Sequence, residues 1–210
     1  EEISRVVSQG KAHYNDYAIL YRTNAQSRVL EEKFVARSIP YKIVGGINFY
    51  QRREIKDILA YLKTIDNGRD DLAVRRIINV PKRGIGMTTL NRVIEYGEAR
   101  DMSFFDALEC CDDIPRIGKT GEKIKGFVNM IEVFRAQSEY ITLAELLTNV
   151  LEETGYIKEL EEEDTEVAQG RIENIDELMN KIVAYEEEEE EPTLSGFLEN
   201  VALVSDIDSL

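Results

Sequence analysis

The stretch NVPKRGIGMTT, residues 79–89, decides the fold because it predicts a tight turn between two helices. Glycines at 84 and 86 flank Ile85, so the chain can turn sharply and its backbone can approach another surface. Apolar residues at helical spacing lead up to Ile78, and a second helix is predicted from about residue 88 to residue 99. The order helix, glycine turn, helix is typical of a helix-hairpin-helix and predicts a mainly helical protein.

The same stretch carries residue types that bind phosphate. It combines two cations, two hydroxyls and the free N–H groups of a helix start. These groups suit backbone phosphates and none of them suits base edges, which predicts DNA binding without sequence preference. An ordinary interhelical turn with glycine at a helix C-terminus is the alternative. The predicted contact residues are Lys82, Arg83, Gly84, Ile85, Gly86, Thr88 and Thr89.

Two short segments near the start of the chain have the composition of strands. Residues 17–21 form an apolar run, and residues 39–44 form a second one that ends at Gly45-Gly46. A helix that Ser27 can cap lies between them, so the order predicts a small piece of an α/β sheet. Two strands are too few for a stable sheet, and we expect the partner strands to lie outside this chain.

Arg22 and Asn24 directly follow the first predicted strand. Ligands of open α/β sheets bind at the carboxyl ends of strands, where a guanidinium fork can hold phosphate and an amide can add neutral hydrogen bonds. Both residues are therefore candidate DNA contacts. Pairing of Arg22 with Glu31 or Glu32 on the following helix is the alternative.

A third basic group, Arg52 and Arg53, follows the aromatic pair Phe49 and Tyr50. Aromatic and basic side chains together suit nucleic acid, so both arginines are candidate contacts. Burial of the two rings in a core between the two parts of the chain is the alternative. After residue 48 we expect only helices, over about 55–65, 70–78, 88–99, 103–110, 120–138, 142–154, 171–185 and 193–204.

Charge is distributed unevenly along the chain. Residues 1–100 hold 18 Lys and Arg against 12 Asp and Glu, a net charge of +6, whereas residues 101–210 hold 8 against 29, a net of −21. The first half can therefore bind a polyanion, whereas the second half would repel one. The glutamates at 186–191 and the acids at 161–164 are expected to form solvated loops.

Several site types are excluded by the sequence. His13 is the single histidine and no Cys/His cluster exists, so we expect no metal site. The segment IGKT at 117–120 looks like the end of a Walker A motif, but Asp113 stands where the motif needs its first glycine and Pro115 removes an N–H donor. We therefore expect no ATP site and no catalytic residue. With no apolar run of membrane-spanning length and no visible signal peptide, the expected location is cytoplasmic.

Several segments, in one order and spacing, resemble a known family. They are AILYRTNAQSR at 18–28, REIKD at 53–57, NVPKRGIG at 79–86, RIENIDE at 171–177 and ALVSDID at 202–208. These segments are similar to the UvrD/PcrA/Rep family of superfamily 1A 3′-to-5′ DNA helicases, in particular to its PcrA-type branch. The resemblance covers essentially the whole chain.

The resemblance implies a fold and a division of the chain. Such helicases have two RecA-like motor domains, 1A and 2A, with insertions 1B and 2B. Residues 1–48 would then be part of domain 2A, and residues 49–210 would be the helical 2B domain. The Walker motifs of the motor are not in this sequence. The chain alone should neither hydrolyse ATP nor unwind DNA, whereas the full-length protein would use ATP and Mg²⁺.

The resemblance also implies roles for the candidate residues. Arg22 and Asn24 would lie on the single-stranded DNA track, and the GIG turn would contact the duplex ahead of the fork. Arg52 and Arg53 would lie where the hinge and the first 2B helix approach DNA. Implied partners are single-stranded and duplex DNA, the other helicase domains and regulatory proteins, in DNA repair or replication. An autoinhibitory protein-interaction module without DNA binding of its own is the alternative.

Overall fold

A computed structural model describes residues 2–21, 24–42 and 49–207, with the backbone alone for residues 24–28, 32 and 204–207. The described chain is mainly helical. It divides into two compact units, Glu1–Arg52 and Arg53–Leu210. The boundary that the sequence predicts lies a few residues earlier, at 48/49.

The first unit holds the helices α1 (Glu2–Ser8) and α2 (Asn24–Val35), with short 3₁₀ turns at Tyr14–Asp16 and Phe49–Gln51. Helix α2 ends in a tight turn, because Ser38 adopts a left-handed φ of 51° and the Ile39 N–H donates to the Phe34 carbonyl at 2.9 Å. The Phe34 and Tyr41 rings then lie 5.5 Å apart between centroids.

The strands predicted in this unit are not observed, and that prediction was wrong for the described residues. Residues 17–21 and 39–42 have no regular secondary structure, while residues 43 and 44 lie outside the described part. Strands are held by hydrogen bonds to neighbouring strands, and no described backbone bond joins these two segments. Apolar side chains of residues 17–21 are therefore exposed, and Leu20 is 95% exposed.

The second unit is built of helices α3 to α11. In chain order they are α3 (Arg53–Asp66), α4 (Asp71–Ile77), α5 (Met87–Glu98), α6 (Phe104–Glu109), α7 (Thr120–Gln137), α8 (Leu143–Thr154), α9 (Tyr156–Glu163), α10 (Glu166–Glu188) and α11 (Leu194–Ile207). None of the helices in the described ranges is both long and apolar enough to pass through a membrane.

Helix α3 is the centre of this unit, packed against α4, α7, α10 and α11. Its apolar residues Ile55, Ile58 and Leu62 are no more than 1% exposed. A helix that is buried on nearly every side must also bury polar groups, and these need partners. Asp57 and Glu54 are the buried acids of α3, and the packing of α4, α9 and α10 supplies their hydrogen bonds.

Asp57 is 2% exposed and lies at the centre of a buried polar cluster. Its Oδ1 accepts from Arg76 Nε of α4 at 2.7 Å, and its Oδ2 accepts from the Tyr156 hydroxyl of α9 at 2.8 Å. Glu54 accepts from Asn174 Nδ2 of α10 at 2.5 Å. Burial raises the pKa of Tyr156, and the Asp57 carboxylate raises it further, so this hydroxyl stays a donor.

The acidic segments are more helical than the sequence predicts. Residues 161–163 end α9, and α10 continues through Glu188 into the glutamate run that was expected to be a loop. The reason is a tertiary contact: Glu186 accepts a hydrogen bond of 2.5 Å from the backbone N–H of Leu143, the first residue of α8. A carboxylate at a helix N-terminus is favourable, so this contact holds the last turn of α10 in place.

Candidate nucleic-acid interface

The glycine turn, residues 78–86, joins α4 to α5. Its shape depends on Gly84, which has a left-handed φ of 69° that side-chain-bearing residues rarely adopt. Ile85 is 3% exposed and anchors the turn in the core. Gly86 is extended, with φ −74° and ψ 152°, and directly precedes the first residue of α5.

Asn79 holds the two sides of the turn together. Its Nδ2 donates to the Ile85 carbonyl at 2.6 Å, and its Oδ1 accepts from the Ile85 N–H at 3.0 Å. The side-chain amide thus bonds the backbone of Ile85 as a neighbouring peptide group would. The sequence pattern alone predicts no role for Asn79, and only this paired contact reveals one.

Arg83 points into the protein. Its Nη1 donates to the Ile77 carbonyl at the end of α4 at 2.8 Å, with longer contacts to other carbonyls of the turn. Its Nη2 donates to the Tyr61 hydroxyl at 2.6 Å, and its guanidinium lies 5.2 Å from the Phe127 ring centroid. A cation at the last carbonyls of a helix is stabilising, so this geometry gives Arg83 a structural role.

Tyr61 connects the turn to the central helix α3. It is fully buried, and its hydroxyl donates to the Val80 carbonyl while accepting from Arg83. Burial raises the pKa of Tyr61, although the Arg83 charge opposes that shift. The phenol is therefore protonated at neutral pH and holds the turn against the core as a permanent donor.

The outer face of the turn presents polar groups to solvent. Lys82, Gly84, Gly86 and Thr88 are exposed, whereas Thr89 is buried at 8% exposure. Among the described residues, no acceptor is bonded to the N–H groups of Met87 and Thr88, which open α5. The exposed face thus combines one cation, two open backbone positions and unbonded N–H donors, which is a suitable arrangement for an anion.

The remaining predicted contacts lie in different settings. Arg22 lies outside the described residues, and Asn24 is described by its backbone alone, as the first residue of α2. Arg52 is 5% exposed, with its guanidinium 5.2 Å from the Phe49 ring centroid. Arg53 has a side chain that is 69% exposed, and it lines a cavity of about 260 Å³ together with Lys82.

Comparison with known proteins identifies the family of the chain. The family described as the UvrD-like helicase C-terminal domain matches residues 1–209. The chain belongs to this family. The resemblance noted in the sequence is therefore confirmed.

Two relatives of this UvrD-like chain share one name. It is 43% identical over 209 residues to the "ATP-dependent DNA helicase PcrA" of Bacillus subtilis (strain 168), covering 100% of this chain. It is 44% identical over 209 residues, 99% of this chain, to the protein of that name from Staphylococcus aureus (strain Mu50). In both cases the chain spans 28% of the length of the relative.

The left-handed backbone of the UvrD-like turn yields a stability prediction at Gly84. We expect Gly84→Ser to lower the free energy of unfolding by about 1–2 kcal/mol, because a side chain disfavours left-handed backbone. A Cβ there would also meet Lys123 Nζ at 2.9 Å. Gly86→Ser is the matched control, since Gly86 is extended, has nothing within 4 Å of a Cβ, and precedes a helix that serine can cap. Urea unfolding of both variants tests the prediction, and equal losses would contradict it.

Proposed function

We propose that this chain is the DNA-binding and regulatory part of an ATP-dependent DNA helicase, and that its glycine turn binds the backbone of duplex DNA. One observation carries the proposal. The side chains of Ile85, which is buried, and of Asn79 and Arg83, which are half-buried, fix the turn from inside. Its outer face offers Lys82 and free N–H groups at the start of α5. The relatives named as DNA helicases support the choice of DNA as the polyanion.

The ligand chemistry follows from the kind of donor on the turn. Backbone N–H groups and a lysine ammonium bind phosphate oxygens, and contacts to phosphate carry no direct sequence information. The binding should therefore ignore sequence and weaken steeply with salt, because each phosphate contact releases counterions. A contact of this kind lets a helicase hold any duplex ahead of the fork.

We propose a smaller set of contact residues than the sequence predicts. We retain Lys82, Gly84, Gly86 and Thr88 because they are exposed. Ile85, Arg83 and Thr89 support the turn from inside. Arg53 stays a candidate because it is exposed and lines one cavity with Lys82, whereas we propose no phosphate contact for Arg52, which is 5% exposed. The proposed roles of Arg22 and Asn24 on the single-stranded DNA track rest on family resemblance.

ATP and Mg²⁺ belong in this proposal to the full-length protein. The PcrA relatives are named as ATP-dependent, and this chain corresponds to 28% of their length. The segment at 117–120 that resembles a Walker A end leads into α7, and Asp113 precedes it within a 3₁₀ turn. We assign no nucleotide contact to it, and we expect the chain by itself to unwind no DNA.

A second candidate function is an autoinhibitory or protein-interaction module. The net charge of −21 over residues 101–210 favours a basic partner over DNA on most of that surface. One measurement distinguishes the two candidate functions. A fluorescence-anisotropy titration with duplex, single-stranded and junction DNA at low salt should show binding for the first and none for the second.

The charge at Lys82 gives a direct test of the proposed contact. We expect Lys82→Glu to weaken duplex binding and to reduce the magnitude of the slope of log K against log salt by about 0.9. Thermal stability should not change, since Lys82 is exposed. Anisotropy titrations between 50 and 200 mM salt measure both quantities.

Lys158→Glu is the matched control because Lys158 is an exposed residue of α9 and the variant has the same net charge. It should bind DNA like the parent chain. If Lys82→Glu kept the parental affinity and slope, or if Lys158→Glu lost as much, the assignment of the phosphate contact to the turn would fail.

A further inference from the structure

A groove of about 400 Å³, the α8–α9 groove, lies in the acidic half of the chain. Helix α8 ends at Thr154 and α9 begins at Tyr156, and Gly155 turns the chain between them with a left-handed φ of 70°. A Cβ at Gly155 would meet nothing within 4 Å, so the backbone of this bend is open to a ligand. The residues that line the groove in the described chain all lie on α8, on α9 or at Gly155.

Two large aliphatic side chains line the groove. They are Leu151 of α8 and Ile157 of α9, and both are half-buried. Other leucines of the same helices hold them to the core and are buried, as Leu147 and Leu160 are. Leu151 and Ile157 therefore leave apolar area in contact with water, and a ligand with aliphatic side chains would cover it favourably.

Acidic side chains surround this apolar area. Residues 152–166 hold eight Asp and Glu against a single cation, Lys158, which gives a net charge of −7. Glu152 and Glu161 line the groove itself, are exposed, and form no ion pair with any residue that the structure describes. Their uncompensated charge attracts a cationic ligand and repels nucleic acid.

The shape of the groove favours a helix as its ligand. An added strand would need an open strand edge, and no strand occurs in the described ranges 2–21, 24–42 and 49–207. A groove beside helices instead receives the apolar face of an amphipathic helix, whose anchoring side chains recur at i, i+3, i+4 and i+7. Such a helix presents charged residues beside its apolar face, where Glu152 and Glu161 can meet them.

We propose that the α8–α9 groove binds a basic amphipathic helix of a partner protein. Apolar residues of that helix cover Leu151 and Ile157, and its lysines or arginines face Glu152 and Glu161. The site is separate from the proposed DNA contact, because none of its lining residues belongs to residues 78–89. One chain can therefore hold duplex DNA at the glycine turn and a partner helix at the groove.

Two synthetic peptides of identical Leu, Lys and Ala composition are the probes for the 210-residue chain. The leucines of the first peptide are spaced to form one face of a helix, and those of the second are scrambled so that no apolar face forms. Anisotropy of the labelled peptides measures both affinities. The amphipathic peptide should bind about tenfold more tightly, because the two peptides carry the same charge and only one can cover the groove.

Charge reversals test the position of the site. Glu152→Lys with Glu161→Lys should weaken binding of the amphipathic peptide about tenfold. Glu95→Lys with Glu98→Lys is the matched control, since it makes the same change in net charge at exposed residues of α5. Lys158→Glu has the opposite sign at the groove and should tighten binding about threefold.

Leu151→Ala tests the apolar part of the groove. It should weaken the amphipathic peptide about fivefold and leave binding of the scrambled peptide unchanged. Circular-dichroism melting establishes that each variant is folded. The reversals at Glu152 and Glu161 change exposed side chains only, so they keep the test decisive if Leu151→Ala is destabilised.

Three results would overturn the proposal. Equal affinities for the two peptides, or equal losses in the two pairs of reversals, would mean that the acidic half attracts cations without a site. Self-association of the parent chain that Glu152→Lys with Glu161→Lys abolishes, without peptide binding, would assign the groove to a second copy. Duplex binding should be the same in the parent chain and in Leu151→Ala, so failure of the groove leaves the function of the glycine turn standing.

Discussion

Replacing Arg83 by lysine is expected to lower the free energy of unfolding by about 2–3 kcal/mol, although the positive charge is kept. The planar guanidinium reaches the Ile77 carbonyl and the Tyr61 hydroxyl at once and lies against the Phe127 ring. An ammonium group has neither the fork nor the flat face, so at least one of these buried partners would lose its hydrogen bond.

Urea unfolding of Arg83→Lys and of its neighbour Lys82→Arg separates the two roles that adjacent cations can have. Lys82→Arg lies on the exposed face and should change stability by less than about 0.5 kcal/mol. If Arg83 instead bound phosphate directly, Arg83→Lys would keep the stability of the parent chain and would bind duplex DNA more weakly.

Replacing Asp57 by alanine is expected to lower the free energy of unfolding by about 3 kcal/mol, toward the lower end of the range for breaking a buried ion pair. The substitution leaves the Tyr156 hydroxyl and Arg76 Nε without their acceptor. The Arg76 side chain is 35% exposed, so water compensates in part. Arg53 Nε lies 3.9 Å from the Asp57 carboxylate, and the Arg53 side chain is 69% exposed. Loss of this ion pair should therefore add little to the destabilisation.

Glu98→Ala is a control for the loss of one carboxylate, since Glu98 is exposed at the end of α5. Its stability should stay within about 0.5 kcal/mol of the parent chain. A double-mutant cycle of Asp57→Ala with Tyr156→Phe isolates the coupling of the two groups. A loss in Asp57→Ala no larger than in Glu98→Ala would show that the buried cluster contributes nothing to stability.

Local sequence signals identified most helices of the second unit. Helix α8 was predicted at 142–154 and is found at Leu143–Thr154, with the Thr142 and Glu145 side chains forming both hydrogen bonds of a capping box. Gly155 ends it with a left-handed φ of 70°. Such boundaries are encoded within a few residues, which is why they can be read from the sequence.

Elements that depend on distant contacts were missed. Helix α9 buries only Tyr156 and Leu160 among acidic residues, so its apolar pattern is too short to detect. The end of α10 depends on the contact between Glu186 and α8, and the predicted strands at 17–21 and 39–44 have no neighbouring strand among the described residues. The group that would stabilise the end of α10 lies far away in sequence, and a strand that would pair with the predicted strands is not found among the described residues.

The sequence by itself determined the family, the mainly helical fold and the position of the glycine turn. It placed Lys82 and Arg83 side by side with the same charge and the same predicted role. Only the tertiary structure decided that Lys82 faces solvent while Arg83 binds carbonyls of the turn and Tyr61, and that Lys123 joins the turn from α7. Local propensities fix where a chain turns, but the direction of each side chain follows from which distant groups pack beneath it.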